Sequence, residues 1–176
     1  MTDVRVSARS VGDPERAWKA LALVTDWVKH AESKAGATLA AAGIIGGVLY
    51  SLVKGQHHSS NAVLYAATTC GLLTLIAAFF SGVSLVPRIW QKEDSSNILY
   101  FNNIARNYPR PGGGSSYRQA LHSLIADDQR LVDEIAHQVW VNSHVARIKF
   151  YWANLGVLTL LLAVIALAVT AFISAL

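Results

Sequence analysis

The stretch Ala31–Tyr50 reads AESKAGATLAAAGIIGGVLY. A polar triplet, Glu32-Ser33-Lys34, is followed directly by a long apolar segment that contains no charged side chain. A segment of this kind, about 18 or more residues long, is typical of a transmembrane helix. Its abundant Gly and Ala residues favour close contact between helices in a bilayer. The stretch therefore predicts a membrane-spanning helix that starts after a charged threshold and packs against other helices.

The same pattern occurs three times in the chain. The uncharged apolar segments are residues 35–53, 62–86 and 153–176. Only 15% of the 176 residues are charged, and the mean hydropathy is +0.35. A soluble bundle would need three fully buried helices, and too little chain remains to cover them. We therefore predict an all-α membrane protein with three transmembrane helices.

Lys and Arg residues are concentrated on one side of these predicted spans. Residues 1–34 contain six of them and residues 87–152 contain eight, whereas the 54–61 loop contains only Lys54 and the C-terminal span has none. Because basic residues favour the cytoplasmic side, we expect residues 1–34 and 87–152 in the cytoplasm. The 54–61 loop and the C-terminus then face outward. The net charge of +4 is too small for a nucleic-acid binder and fits a small anionic ligand or anionic lipid headgroups better.

The predicted cytoplasmic segments are helical. Asp13-Pro14-Glu15 has the composition of a helix start, and it opens an amphipathic helix that continues towards the first span. Its apolar stripe consists of Trp18, Leu21, Val24, Trp27 and Val28.

The segment 87–152 is expected to form a helical hairpin. Pro109–Ser116 should break any helix, and Ser116–Gln119 resembles a capping box that opens a second helix. Because no Pro or Gly occurs from Tyr117 to Leu155, that helix should run unbroken into the last span. The predicted fold is thus a cytosolic helical bundle, made of the N-terminal helix and this hairpin, joined to three spans.

Small residues follow one side of the first span. They lie at positions i, i+4, i+7 and i+11 and are Gly36, Ala40, Gly43 and Gly47. This spacing lets membrane helices approach closely. The seam could pack within one chain or between the protomers of a homo-oligomer.

The sequence contains no recognisable catalytic or metal-binding pattern. His57 and His58 are adjacent, and His137 and His144 lie seven residues apart without a third ligand. We therefore expect no enzyme activity, no metal and no cofactor.

Charged residues flank the ends of the spans and should lie at a similar depth. They are Glu32, Lys34, Arg88, Arg147 and Lys149. The basic members can anchor the chain to lipid headgroups. Alternatively, they form an anion pocket in which Glu32 and Asn142 are orienting groups. Tyr100 and Phe101 lie further from the membrane, where an aromatic ring can stack on a base.

Four motifs resemble the small transmembrane effectors of Pycsar, the pyrimidine-cyclase system of bacterial antiphage resistance. They are WVKHAESKAGATLAAAG (27–43), Pro87-Arg88 after the second span, LYFNNIA (99–105) and QVWVNSHVARIKFYW (138–152). Glu32 stands where the family usually has Asp, and PRPGGGSS (109–116) resembles a local insertion.

This resemblance implies an effector of the bacterial inner membrane that is activated by cyclic UMP or cyclic CMP from a partner pyrimidine nucleotide cyclase. Activation would impair the membrane and cause abortive infection. The phosphate would be held by Arg88, Arg106 or Lys149, with Tyr100 or Phe101 near the base. The alternatives are a constitutive helix-bundle scaffold, a holin-like protein, and an effector gated by a different cyclic oligonucleotide.

Overall fold

The computed structural model describes residues 12–55, 60–86 and 97–175. Within these ranges the chain is helical and has no strand. The helices are α1 (Pro14–Lys54), α2 (Asn61–Leu85), α3 (Phe101–Asn107), α4 (Gly113–Ile125) and α5 (Asp128–Ser174). Three of them, α1, α2 and α5, are long and apolar enough to cross a membrane, as the sequence predicts.

The chain forms two compact units. The described residues of the first unit are 12–25 and 97–143, and those of the second are 26–55, 60–86 and 144–175. The first unit therefore contains the start of α1, all of α3 and α4, and the start of α5. The second contains α2 and the apolar parts of α1 and α5.

The second unit is built on a repeat of small residues. The buried positions of α2 recur at alternating spacings of four and three residues, and they are Val63, Ala67, Cys70, Thr74, Ala77, Ser81 and Ser84. The buried positions of α1 follow the same rule through Ala31, Ala35, Thr38, Ala42 and Ile45. A mean spacing of 3.5 residues keeps one face of a helix against its neighbour, as in coiled coils.

The outward faces of these helices carry the large apolar side chains. Examples are Leu72, Phe79, Ile165 and Phe172, each more than 60% exposed within the chain. Small residues inside and large apolar residues outside are the reverse of a water-soluble protein, and the arrangement suits a hydrocarbon surrounding.

Gly156 marks a close approach of α5 to α2. A Cβ atom built on Gly156 would lie 2.7 Å from Ser81 Oγ, 3.4 Å from Ser81 N and 3.5 Å from the Ala77 carbonyl oxygen. Ser81 is fully buried. A side chain at position 156 would therefore displace the buried Ser81 hydroxyl and crowd the backbone of α2.

We predict that Gly156→Ala destabilises the second unit, because over-packing typically costs about 1–3 kcal/mol. Gly82→Ala is the matched control, since a Cβ there meets nothing within 4 Å. Thermal unfolding of both variants in detergent checks this. Equal melting temperatures for the two variants would contradict the close approach.

The predicted glycine seam faces away from the other described helices. A Cβ at Gly36, Gly43 or Gly47 would meet nothing within 4 Å, and Ala40 is exposed. Instead, α1 packs through the neighbouring stripe that contains Ala35 and Ala42. For these three glycines, the alternative that the seam packs against described helices of the same chain is therefore wrong. Its use between protomers stays a prediction.

The first unit has a compact apolar core. Leu124 of α4 and Leu131 and Ile135 of α5 are buried together. The partly buried residues around them are Ala17, Leu21, Ile98, Leu99 and Val139. The predicted start of α1 is confirmed, because Pro14 is its first residue and the Asp13 carboxylate accepts a hydrogen bond from Glu15 N at 3.0 Å.

The prediction of one helix from Tyr117 to Leu155 is wrong. α4 ends at Ile125 and α5 begins at Asp128. The physical reason is an N-cap: the Asp127 carboxylate accepts a hydrogen bond from Arg130 N at 3.1 Å, which starts a new helix without Pro or Gly.

The predicted capping box at Ser116 is also wrong. α4 begins three residues earlier, at Gly113. The preceding Gly112 has a φ of +103°, a backbone conformation that favours glycine, and it makes the turn into α4.

The predicted stripe of α1 is only partly the buried face. Leu21, Val24 and Val28 are at least partly covered, whereas Trp18 and Trp27 are each 45% exposed. The two tryptophans are nine residues apart and so lie on opposite sides of the helix. They cannot share one buried stripe.

We predict that Leu124→Ala lowers the stability of the first unit by about 2–5 kcal/mol, because it leaves a cavity in the core. The adjacent Ile125 is 54% exposed, so Ile125→Ala is the matched control and should cost less than about 1 kcal/mol. Chemical unfolding followed by circular dichroism compares the two. A similar loss in both variants would show that this core is misplaced.

Candidate functional site

Lys149 is a charged residue in the interior of the second unit. Only 3% of the residue is exposed. Its ammonium group lies 2.9 Å from Glu32 Oε1 of α1 and donates a hydrogen bond of 2.9 Å to the Ser84 carbonyl oxygen of α2. In return, the Ser84 hydroxyl donates to the Lys149 carbonyl oxygen at 3.0 Å. One residue of α5 thus contacts both other long helices, α1 and α2. We call these contacts the Lys149 clamp.

The clamp provides a hydrogen-bond donor for a backbone carbonyl group at the C-terminal end of α2. Because α2 ends at Leu85, the Ser84 carbonyl belongs to the last turn, where the carbonyl groups have no partner within the helix. A lysine near a helix C-terminus can bond such a carbonyl and balances the negative end of the helix dipole. The ammonium group therefore serves both a helix end and a carboxylate.

The two charged partners differ in their access to solvent. The side chain of Lys149 is 4% exposed, whereas that of Glu32 is 43% exposed. The cation is therefore held inside the unit and the anion lies at its edge. A buried ammonium group without a counter-charge is strongly unfavourable, so Lys149 depends on Glu32 more than Glu32 depends on Lys149.

Aromatic residues surround the same end of the second unit. The Lys34 ammonium group lies 5.5 Å from the centre of the Phe150 ring, and the Trp152 ring lies 5.5 Å from that of Phe80. At the other end, Tyr65 is 72% exposed on α2. The 19 residue-to-residue steps from Tyr65 to Ser84 span roughly 28 Å of helix, close to the thickness of a bilayer core. The clamp therefore lies where an apolar segment ends.

The predicted site residues are distributed over both units. In the second unit, Glu32 and Lys149 are in direct contact, while Lys34 and Arg147 are exposed. In the first unit, Tyr100 directly precedes α3 and is half-buried, Arg106 is exposed in the last turn of α3, and Asn142 is half-buried on α5. Arg88 and the side chain of Phe101 lie outside the described residues.

Asn97 and Gln138 are buried polar residues of the first unit that the sequence did not reveal as such. Asn97 is 2% exposed. Its side chain donates to the Glu134 carbonyl oxygen at 3.2 Å, lies 3.4 Å from His137 Nδ1 and accepts a hydrogen bond from Leu99 N at 2.9 Å. It therefore ties the residues before α3 to α5.

Gln138 is the second of these residues. It is 6% exposed, and its Nε2 has no hydrogen-bond partner in the part of the chain that the structure describes. It lies seven residues after the core residue Leu131, on the same face of α5. In the sequence, this polar residue at a position with core spacing could have indicated a buried polar group.

Comparison with known proteins identifies this architecture. A family model described as the Pycsar effector protein domain matches residues 16–176. The chain belongs to the Pycsar effector family. The match covers the described parts of both units beyond Glu15, including every residue of the Lys149 clamp.

A curated relative agrees with this assignment. The chain is 31% identical over 163 residues to the Pycsar effector protein PtPycTM of Propioniciclava tarda, an alignment that covers 92% of this chain and 80% of the relative. No solved structure matches the chain. The family is one of transmembrane effectors, and α1, α2 and α5 are long and apolar enough to cross a membrane.

Proposed function

We propose that this protein is an antiphage effector of the bacterial inner membrane. It binds a cyclic pyrimidine mononucleotide, cyclic UMP or cyclic CMP, through its cytosolic helical part and then impairs the membrane, which causes abortive infection. A partner pyrimidine nucleotide cyclase supplies the ligand. The observation that carries the proposal is the family match over residues 16–176, which includes both the helical first unit and the apolar second unit.

The charge distribution of the first unit supports binding of an anion from solution. All described Lys and Arg residues of this unit are exposed, and they are Arg16, Lys19, Arg106, Arg110, Arg118 and Arg130. Arg16 and Lys19 are paired with the nearby Asp13 and Glu15. Arg106 lies in the last turn of α3, six residues after Tyr100. It is accessible to a phosphate, and its guanidinium group offers paired donors to phosphate oxygens.

The interior of the same unit is suited to a neutral ring rather than to a phosphate. The buried core is apolar, and its polar groups are uncharged carboxamides such as Asn97 and Gln138. Carboxamides pair with the donors and acceptors at the edge of a base, and the unpartnered Nε2 of Gln138 is a donor for a ring carbonyl. We therefore infer a ligand with its phosphate towards the exposed arginines and its base towards the helices.

Lys149 is less suited to the phosphate than Arg106. Its ammonium group already contacts Glu32 and Ser84, and a phosphate could replace Glu32 only if the ion pair separated. Arg88 stays a candidate that the described residues do not include. The outward glycine face of α1 further supports the proposal of a homo-oligomer in the membrane.

Calorimetric titration of the detergent-solubilised full chain tests the proposal. Cyclic UMP, cyclic CMP and cyclic AMP are titrated separately into protein whose helical content has been verified. We expect selective binding of one pyrimidine nucleotide. Absence of heat with all three nucleotides would contradict nucleotide sensing and favour the constitutive scaffold or an effector of another cyclic oligonucleotide.

We predict that Arg106→Ala weakens binding of the cognate nucleotide by about tenfold or more, because a hydrogen bond to a charged group contributes about 1.5–3 kcal/mol. Arg118→Ala on α4 removes another exposed charge of the same unit and serves as the control. Calorimetry reports both affinities. Equal weakening in the two variants would indicate a general charge effect and remove Arg106 from the site.

A further inference from the structure

The Lys149 clamp is an unusual link between the long helices. Four ion pairs join described residues, and three of them connect residues three or four positions apart in the same segment. The fourth, between Glu32 and Lys149, joins α1 to α5 over 117 residues of sequence. Its lysine also bonds the end of α2. Within the described chain, this is the ion pair that connects different helices.

The packing next to the clamp contains little that could replace it. The neighbouring interior positions are Ala153 and Gly156 on α5 and Ala77 and Ser81 on α2, all with small side chains. The Ser81 hydroxyl is buried, and it has no hydrogen-bond partner among the described residues. Small side chains allow close approach but interlock little. The Phe80 and Trp152 rings also join α2 to α5 nearby, with their centres 5.5 Å apart. The charged contacts of Lys149 bring α1 together with both helices at this end.

We propose that the Lys149 clamp is a latch that holds the three membrane helices in their resting packing, and that its opening starts the impairment of the membrane. This inference rests on the proposed effector function and adds the element of the fold that restrains it. The clamp lies within the second unit, so its effect on the helices is direct.

The exposures of the two partners indicate how the latch opens. Glu32 lies at the edge of the unit and can leave without disrupting the interior, whereas Lys149 is enclosed. Once Glu32 moves, an enclosed ammonium group lacks its counter-charge. A long lysine side chain near a membrane boundary then extends to the water and the lipid headgroups. That movement removes the donor from the Ser84 carbonyl and weakens the contact between α5 and α2.

Dye release from lipid vesicles tests the latch. The full-length protein, Glu32→Gln and Lys149→Met are each reconstituted into vesicles of phosphatidylethanolamine and phosphatidylglycerol that contain a self-quenched dye. Release is measured first without nucleotide and then with cyclic UMP or cyclic CMP. We expect the unmodified protein to release little dye without nucleotide. Both variants should release dye at least about tenfold faster, as a shift of one decade in the resting population requires.

The exposed pair Asp26–Lys29 provides a matched control. These residues also lie on α1, are 3.1 Å apart and have side chains that are 61% and 68% exposed. Asp26→Asn and Lys29→Met remove the same kinds of charge, and they should leave the vesicles as tight as the unmodified protein does. The double variant Glu32→Lys/Lys149→Glu leaves the Ser84 carbonyl without its donor, so it should still release dye faster than the unmodified protein.

The outcomes separate the latch from the proposed ligand. Variants that are folded and inserted but release dye no faster than the unmodified protein would overturn the latch. Variants that fail to respond even to a nucleotide that activates the unmodified protein would also overturn it. A third outcome is that the variants release dye while the unmodified protein responds to neither nucleotide. That outcome would support the latch and contradict the proposed ligand. Should Lys149→Met fail to insert, Glu32→Gln alone decides the test, since it removes the counter-charge and leaves Lys149 in place.

Discussion

The burial of one ammonium group constrains the whole second unit. Lys149 is almost fully enclosed, and a charge in such a place requires a counter-charge and further hydrogen bonds. Glu32 and the Ser84 carbonyl provide them from two other helices. These contacts determine the alignment of the helices: the turn of α1 with Glu32 and the end of α2 with Ser84 both lie next to the turn of α5 with Lys149. The register of three long helices thus depends on contacts within a few ångströms of one nitrogen atom.

Small residues make this constraint compatible with a membrane. Hydrocarbon gives no hydrophobic drive for helices to associate, so they must gain from close contact and from polar links. The repeat on α2 and the approach of Gly156 to Ser81 supply the close contact. The clamp supplies the polar link at the end where water is near. The two kinds of contact together hold α2 against α5.

The sequence predicts the fold where local signals are strong. The three apolar segments and the Asp13-Pro14 helix start depend on composition and capping, and the structure has helices at both. The break before α5 was missed because an Asp127 N-cap can interrupt a helical pattern without Pro or Gly. The choice between two neighbouring stripes of small residues on α1 was missed for another reason: Ala35 and Gly36 are equally small, and only the partner helices decide which faces inward. Glu32 and Lys149 were expected at a similar depth, but the burial of Lys149 depends on tertiary packing that no local pattern encodes.

A double-mutant cycle on Glu32 and Lys149 tests the central constraint most directly. The free energy of unfolding in detergent is measured for the unmodified protein, Glu32→Gln, Lys149→Met and the double variant. We predict a favourable coupling energy of about 1–3 kcal/mol, as for residues in direct contact within one network. The same cycle on the exposed Asp26–Lys29 pair should give less than about 0.5 kcal/mol. A coupling energy for Glu32 and Lys149 no larger than that of the exposed pair would contradict the account.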